Sequence, residues 1–111
     1  MDESEARAAS ESILSGWITQ GPRVAEFEAA FAGVVGADHA CAVSNCTAAM
    51  HLTLLAAGVG PGDEVITASH SFIATANSVR YCGAEPIFVD IDSGTFNMDP
   101  AKVQEAITDR T

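Results

Sequence analysis

Strand-like runs alternate with helical ones along most of this chain, and that alternation is its strongest constraint. "EVIT" (residues 64–67) and "PIFVDI" (86–91) are short apolar runs bounded by turn residues, with a helical stretch from about Ile73 to Cys82 between them. A third candidate strand covers residues 39–43 and leads into a helix from Thr47 to about Ala57. Two helices come first. One covers residues 3–14 and stops near Gly16; the other opens at Pro22, a good first helical residue, and ends at Gly36. Val24, Phe27, Phe31 and Val34 recur on one side of this second helix and predict a buried stripe. Asp99-Pro100 starts a last helix that reaches about Ile107. The order α, α, β, α, β, α, β, α implies an α/β fold with parallel strands joined by crossovers. "PIFVDI" is dense enough in apolar residues to be a strand covered on both faces. Three strands make a small sheet, and the chain ends at "ITDRT", where another strand is expected. The expectation is the front part of a larger domain.

Composition narrows the function class. The net charge is −10, which argues against a nucleic-acid-binding surface and against attraction to anionic lipid. No apolar run approaches the roughly 20 residues of a membrane helix, and "MDESEAR" lacks the basic-then-apolar pattern of a signal peptide. Cys41, Cys46 and Cys82 form no C-x-x-C pair. They read as reduced thiols of a cytoplasmic protein with no metal site, Cys41 and Cys82 packing as small apolar groups.

Ligands of open α/β sheets bind beyond the carboxyl ends of the strands. Three segments fall there: "SNCTA", "ASHSFIATAN" and "DIDSGTF". At the first, small residues from Ser44 to Ala48 turn the chain into a helix. Its first N–H groups have no internal partner and its dipole favours an anion. Either Ser44 or Asn45 simply caps this helix, or the corner is a phosphate cradle. No G-x-G-x-x-G and no G-x-x-x-x-G-K is present, so neither a dinucleotide fingerprint nor a P-loop is indicated. Phe72, flanked by Ser71 and Thr75, either packs inward or stacks on a flat cofactor ring. Together, a cradle and an aromatic platform suit a phosphorylated heteroaromatic such as pyridoxal phosphate.

Four stretches stand in a familiar order and spacing: "SGWITQGPRVAEFEAAF", "AVSNCTAAMHLTLLAAGVGPGDEVIT", "SFIATANSVRYCGAEPIFVDID" and "TFNMDPAKVQEAITDRT". Over residues 12–111 the chain resembles the DegT/DnrJ/EryC1/StrS family of pyridoxal-phosphate-dependent sugar aminotransferases. Within it, "SGWITQGP" and "CTAAMH" look most like the enzymes acting on the 4-keto sugar of a UDP-pentose, the 4-amino-4-deoxy-arabinose type. The resemblance implies the N-terminal part of the aspartate aminotransferase fold, fold type I, whose large domain is a three-layer α/β/α structure with a mostly parallel sheet. Residues 1–111 would be an incomplete N-terminal portion of that one domain. Residues 1–22 would be its first helix and a substrate or interface loop, and 23–111 the start of its sheet.

The resemblance also implies roles. The backbone amides of Thr47 and Ala48 would hold the phosphate of pyridoxal 5'-phosphate, and Phe72 would stack on its ring. Thr19 would touch a nucleotide-linked keto-sugar, and Trp17 would either do so or be buried against a second subunit of a homodimer. Asn77 would order its surroundings, and His39, His51 and His70 carry no catalytic role. Ala68, Ser71 and Gln20 stand where the family often has Pro, Thr and Thr; these departures are mild, since Ser71 keeps a hydroxyl and losing the Pro loosens the loop only slightly. The Schiff-base lysine and the acidic partner of the ring nitrogen fall, in the family, beyond residue 111. Lys102, the only lysine here, matches no catalytic position and is expected to be a solvated charge. The implied activity is transfer of an amino group from glutamate to the keto-sugar, with the 111 residues alone inactive. A sugar 3-dehydratase of the same family and a non-catalytic relative remain alternatives.

Overall fold

The structure is a computed structural model that describes Asp2–Thr111. Among these residues, five helices and two strands follow one another as α1 (Glu3–Leu14), α2 (Pro22–Val35), α3 (Cys46–Ala56), β1 (Glu64–Ala68), α4 (Ile73–Tyr81), β2 (Glu85–Val89) and α5 (Pro100–Ala106). The chain divides into two compact units, the first ending at Ala42 and the second running from Val43 to Thr111.

In the first unit, the ends of the helices follow from local chemistry. Asp2 accepts the Ser4 N–H at 2.7 Å while the Glu5 carboxylate accepts the Asp2 N–H at 2.5 Å, a reciprocal cap that starts α1. Pro22 opens α2, where a missing N–H costs nothing, and Gly36 closes it at φ 68°, a conformation that a side chain would oppose. The expected buried stripe of α2 is not buried. Phe27 and Phe31 lie against each other with centroids 5.8 Å apart, yet they and Val34 stay exposed, and only Ala32 of this helix is buried. Periodicity identifies the helix, but burial needs a second apolar surface, and α1 has no buried residue with which to supply one.

The second unit holds the sheet. β1 and β2 pair in parallel, with Glu64 opposite Glu85 and Ala68 opposite Val89, and the Ser69 N–H extends the ladder to the Val89 carbonyl. Parallel neighbours need a crossover, and α4 supplies it, packing its Val79 with Cys82 and Ala84 into a small core flanked by Leu54, Val59 and Val65. Two expectations need correcting here. Residues 39–43 form no strand, so among the described residues the sheet has two strands, not three. A strand exists only as one side of a ladder, and no described segment pairs with 39–43. Instead, the Ala42 N–H donates to the Glu28 carboxylate at 2.7 Å. Nor is "PIFVDI" covered on both faces: β2 stops at Val89, and Phe88 remains exposed. A third correction concerns Cys41, which is exposed, whereas Cys82 is buried as expected with its Sγ 3.3 Å from the Ser78 carbonyl.

Beyond β2 the chain folds back on itself. Ile91 and Met98 form an antiparallel bridge, and Asp92 closes the intervening turn by accepting N–H bonds from Gly94 at 3.1 Å and Thr95 at 2.8 Å. At the start of β1 the buried Glu64 carboxylate accepts from Thr108 Oγ1 at 2.5 Å and from the Arg110 guanidinium. A charge taken out of water there is matched by two donors, and residues 108–110 are tied to the sheet.

Hydrogen bonding by the Thr95 side chain, and then by its N–H, holds the Asp92 carboxyl below its ordinary value of 3.8. A depressed carboxylate stabilises the fold above its ordinary pKa, and that contribution disappears as pH falls through the lower folded value. The Gly94 and Thr95 amide resonances should therefore titrate together with a midpoint below 3.8. A midpoint at or above that value would show that Asp92 does not hold this turn.

Candidate functional site

In the second unit, the corner before α3 is built by Asn45. Its extended backbone places the side chain so that Oδ1 accepts the Ala48 N–H at 2.9 Å, while Asn45 Nδ2 reaches Ser44 Oγ at 3.3 Å. Asn45, not Ser44, thus caps the helix. The two amides singled out in the sequence are not equivalent. The Ala48 N–H already has an acceptor, whereas the Thr47 N–H, second in the helix, is one of those that no carbonyl within α3 can serve. Both residues are half-buried. The first turn of α3 carries no acidic residue, although the chain has 15 Asp and Glu against 5 Lys and Arg. An anion approaching Thr47 meets the positive end of the helix dipole without a carboxylate in the same turn.

Phe72 is the residue before α4 and is 78% exposed. The alternative of inward packing is therefore not what the fold selects. Beside it, Ser71 Oγ and Thr75 Oγ1 lie 3.1 Å apart, a hydroxyl pair bridging the corner into the helix. Phe72 lines a cavity of about 170 Å³ with Thr67, Ser69, Ser71, Thr75 and Phe88. Thr47 and Ala48 line neither that cavity nor the neighbouring apolar one of about 340 Å³ between α3, β1 and α4. Asn77 sits half-buried inside α4. His51 meets the Tyr81 ring edge-on at 5.6 Å, and His70 lies 6.3 Å from Phe96.

Lys102 is on α5, paired with Glu105 at 2.9 Å. The Glu105 hydrogen bond and charge raise its pKa above 10.5. An amine held protonated is no nucleophile near neutral pH, so Lys102 is the solvated charge expected of it.

In the first unit, Trp17 and Thr19 do come together. With Glu11, Ser15, Arg23 and Glu26 they line a cleft of about 400 Å³. Arg23 reaches Glu11 at 2.8 Å and Glu26 at 3.3 Å. The Trp17 indole N–H donates to the Gln20 carbonyl, and the Trp17 backbone N–H donates to Ser15 Oγ at 3.1 Å. The Arg23 cation and its two carboxylates were not among the residues the sequence pointed to, because the pairing of Glu11 with Arg23 joins two different helices. Among the described residues no cluster of His, Cys, Asp or Glu could hold a metal ion, and no helix is long and apolar enough to cross a membrane.

Comparison with known proteins gives one direction. A family model described as the DegT/DnrJ/EryC1/StrS aminotransferase family matches residues 1–111. The chain is 50% identical over 109 residues to the spore coat polysaccharide biosynthesis protein SpsC of Bacillus subtilis, covering 98% of this chain and 28% of that protein. It is 45% identical over 111 residues to the UDP-4-amino-4-deoxy-L-arabinose–oxoglutarate aminotransferase of Shewanella sediminis, covering 100% and 29%. Among solved structures, NtdA from Bacillus subtilis with bound cofactor PMP matches with a TM-score of 0.93 at 40% identity, over 98% of this chain and 25% of that one. The chain thus spans under a third of the length of these proteins. The architecture is the one expected, the N-terminal part of the aspartate aminotransferase fold, fold type I.

The cap itself is testable. Asn45→Ala should destabilise the fold by about 1 kcal/mol and Asn45→Gly by only a few tenths, since glycine is tolerated at this position. Denaturant midpoints compared with the parent would measure both. Equal midpoints for Asn45→Ala and the parent would mean that the Ala48 N–H bond carries no net stability.

Proposed function

Because the chain belongs to the DegT/DnrJ/EryC1/StrS aminotransferase family, we propose that it provides the cofactor phosphate and ring contacts of an aminotransferase acting on a nucleotide-linked keto-sugar, with glutamate as amino donor. Residues 1–111 are then an incomplete N-terminal portion of one major domain, inactive by themselves. The observation that carries this reading is the acid-free opening of α3, with its unserved Thr47 N–H, in a strongly acidic chain. Pyridoxal phosphate, when bound, supplies an electron-withdrawing ring and a carbon that can carry the amino group between donor and acceptor.

The residues fit that group on physical grounds. The Thr47 N–H is the principal phosphate donor. The Ala48 N–H joins it where Asn45 Oδ1 shares or yields its bond. Phe72, exposed at the carboxyl side of β1, offers a ring face for stacking, and the Ser71–Thr75 hydroxyl pair fixes the corner from which it projects. Lys102 takes no part, being protonated and paired. Thr19 and Trp17 contribute substrate contacts from the cleft of the first unit. The enzyme works as a homodimer. Three cysteines free of disulfides favour a reducing, cytoplasmic setting.

In the full-length protein, Thr47→Pro should weaken pyridoxal phosphate binding about ten- to a hundredfold, the equivalent of losing one charge-assisted hydrogen bond of about 1.5–3 kcal/mol. Proline in the first turn leaves the helix standing. Thr47→Ser keeps the N–H and should bind like the parent, while Phe72→Ala should lose stacking of about 0.5–1.5 kcal/mol. Spectrophotometric titration of the apo forms compares them. Parental affinity in a folded Thr47→Pro protein would reduce this corner to a helix cap and nothing more.

A further inference from the structure

Gly21 stands immediately before α2 with φ −176° and ψ −158°. That is extended backbone, open to any residue, so conformation does not explain the glycine. Capping does not explain it either. The position makes no side-chain cap hydrogen bond, and Ser, Asp or Asn would cap the helix better. Space does explain it. A carbon added to Gly21 would lie 2.7 Å from Trp17 Cε2 and closer still to Nε1 and Cδ1. Three contiguous atoms of the five-membered ring at such distances mean that the carbon would stand over the face of the indole. Trp17 is therefore folded back onto the bare Cα of Gly21, closed there by its N–H bond to Gln20, with 60% of the residue still exposed.

The cleft beside it has a definite chemistry. Two carboxylates, Glu11 and Glu26, hold one guanidinium, Arg23, so these three groups sum to one negative charge. A diphosphate is disfavoured there. A neutral polyhydroxyl ring is favoured, since carboxylate and hydroxyl oxygens accept its O–H groups while an aromatic wall covers its C–H face. We propose that Gly21 is a positioning residue whose missing side chain seats the Trp17 indole as the wall against which the sugar ring of the substrate lies. The sugar part of this inference rests on the function proposed above; the seating of Trp17 does not.

Gly21→Ser in the full-length protein separates the two roles of the position, because serine supplies a cap while its Cβ displaces the indole. Trp17 emission, taken as the difference from the same protein carrying Trp17→Phe, should shift to the red. KM for the nucleotide-linked keto-sugar should rise about two- to tenfold, the loss of one aromatic contact, with kcat unchanged. In a Trp17→Leu background, Gly21→Ser should leave KM where Trp17→Leu alone puts it. Unchanged emission in Gly21→Ser would overturn the seating of Trp17, and shifted emission with parental KM would overturn the sugar wall. Absence of any nucleotide-sugar turnover would overturn the sugar wall together with the proposed function, while a red shift would still uphold Gly21 as the seat.

Discussion

Parallel pairing of β1 with β2 obliges the chain to cross over between them, and the rest of the second unit is arranged around that crossover. Two parallel strands must end on the same edge, so Ser69–Phe72 after β1 and Asp90 after β2 emerge side by side. The crossover helix α4 packs against both strands and against α3, and Ala74, Ala76, Ser78 and Val79 are its buried residues. Three of these four are small, which lets the helix approach its neighbours closely. Val79, Cys82 and Ala84 close the core just where the chain turns back toward β2. Phe72 is left outside because it precedes the helix, where an aromatic ring is neither in the sheet nor under α4. Geometry that follows from strand pairing thereby exposes a stacking surface on the ligand side.

The other proposed contact depends on a competition at the start of α3. A helix N-terminus offers several unserved N–H groups, and a protein can satisfy them with its own side chains or reserve them for an anion. Here Asn45 takes the Ala48 N–H and leaves that of Thr47. One amide stabilises the corner and the other is free to recognise. Such a division keeps the corner capped while leaving an N–H for a phosphate.

Legibility in the sequence followed the range of the forces involved. Pro22, Gly36 and the Asp99-Pro100 pair act within one helical turn, and the helix ends they mark are found at or within a residue of where they place them. "EVIT" and the first part of "PIFVDI" became strands because each finds the other. Residues 39–43 have the same apolar character, but a ladder partner lies at long range and no described segment provides one. Phe27, Phe31, Val34 and Cys41 fail in the same way. Their types and spacing say that they can be buried, while burial depends on a second surface. In the candidate site, Phe72 is proposed from its position after β1 and from family resemblance, whereas Thr47 and Ala48 rest on the resemblance and the helix start, since among the described residues no strand precedes them. The choice of Asn45 over Ser44 as cap was open in the sequence, and the seat of Trp17 on Gly21 left no trace in composition or spacing.

In the holoenzyme, the opening turn of α3 is proposed to receive the cofactor's phosphate. A crystal structure of the full-length protein with pyridoxal phosphate tests it most directly. The expected result is a phosphate oxygen within hydrogen-bonding distance of the Thr47 N–H and the pyridine ring lying over Phe72. A phosphate held elsewhere, with the Thr47 N–H facing only water and Phe72 clear of the ring, would contradict it.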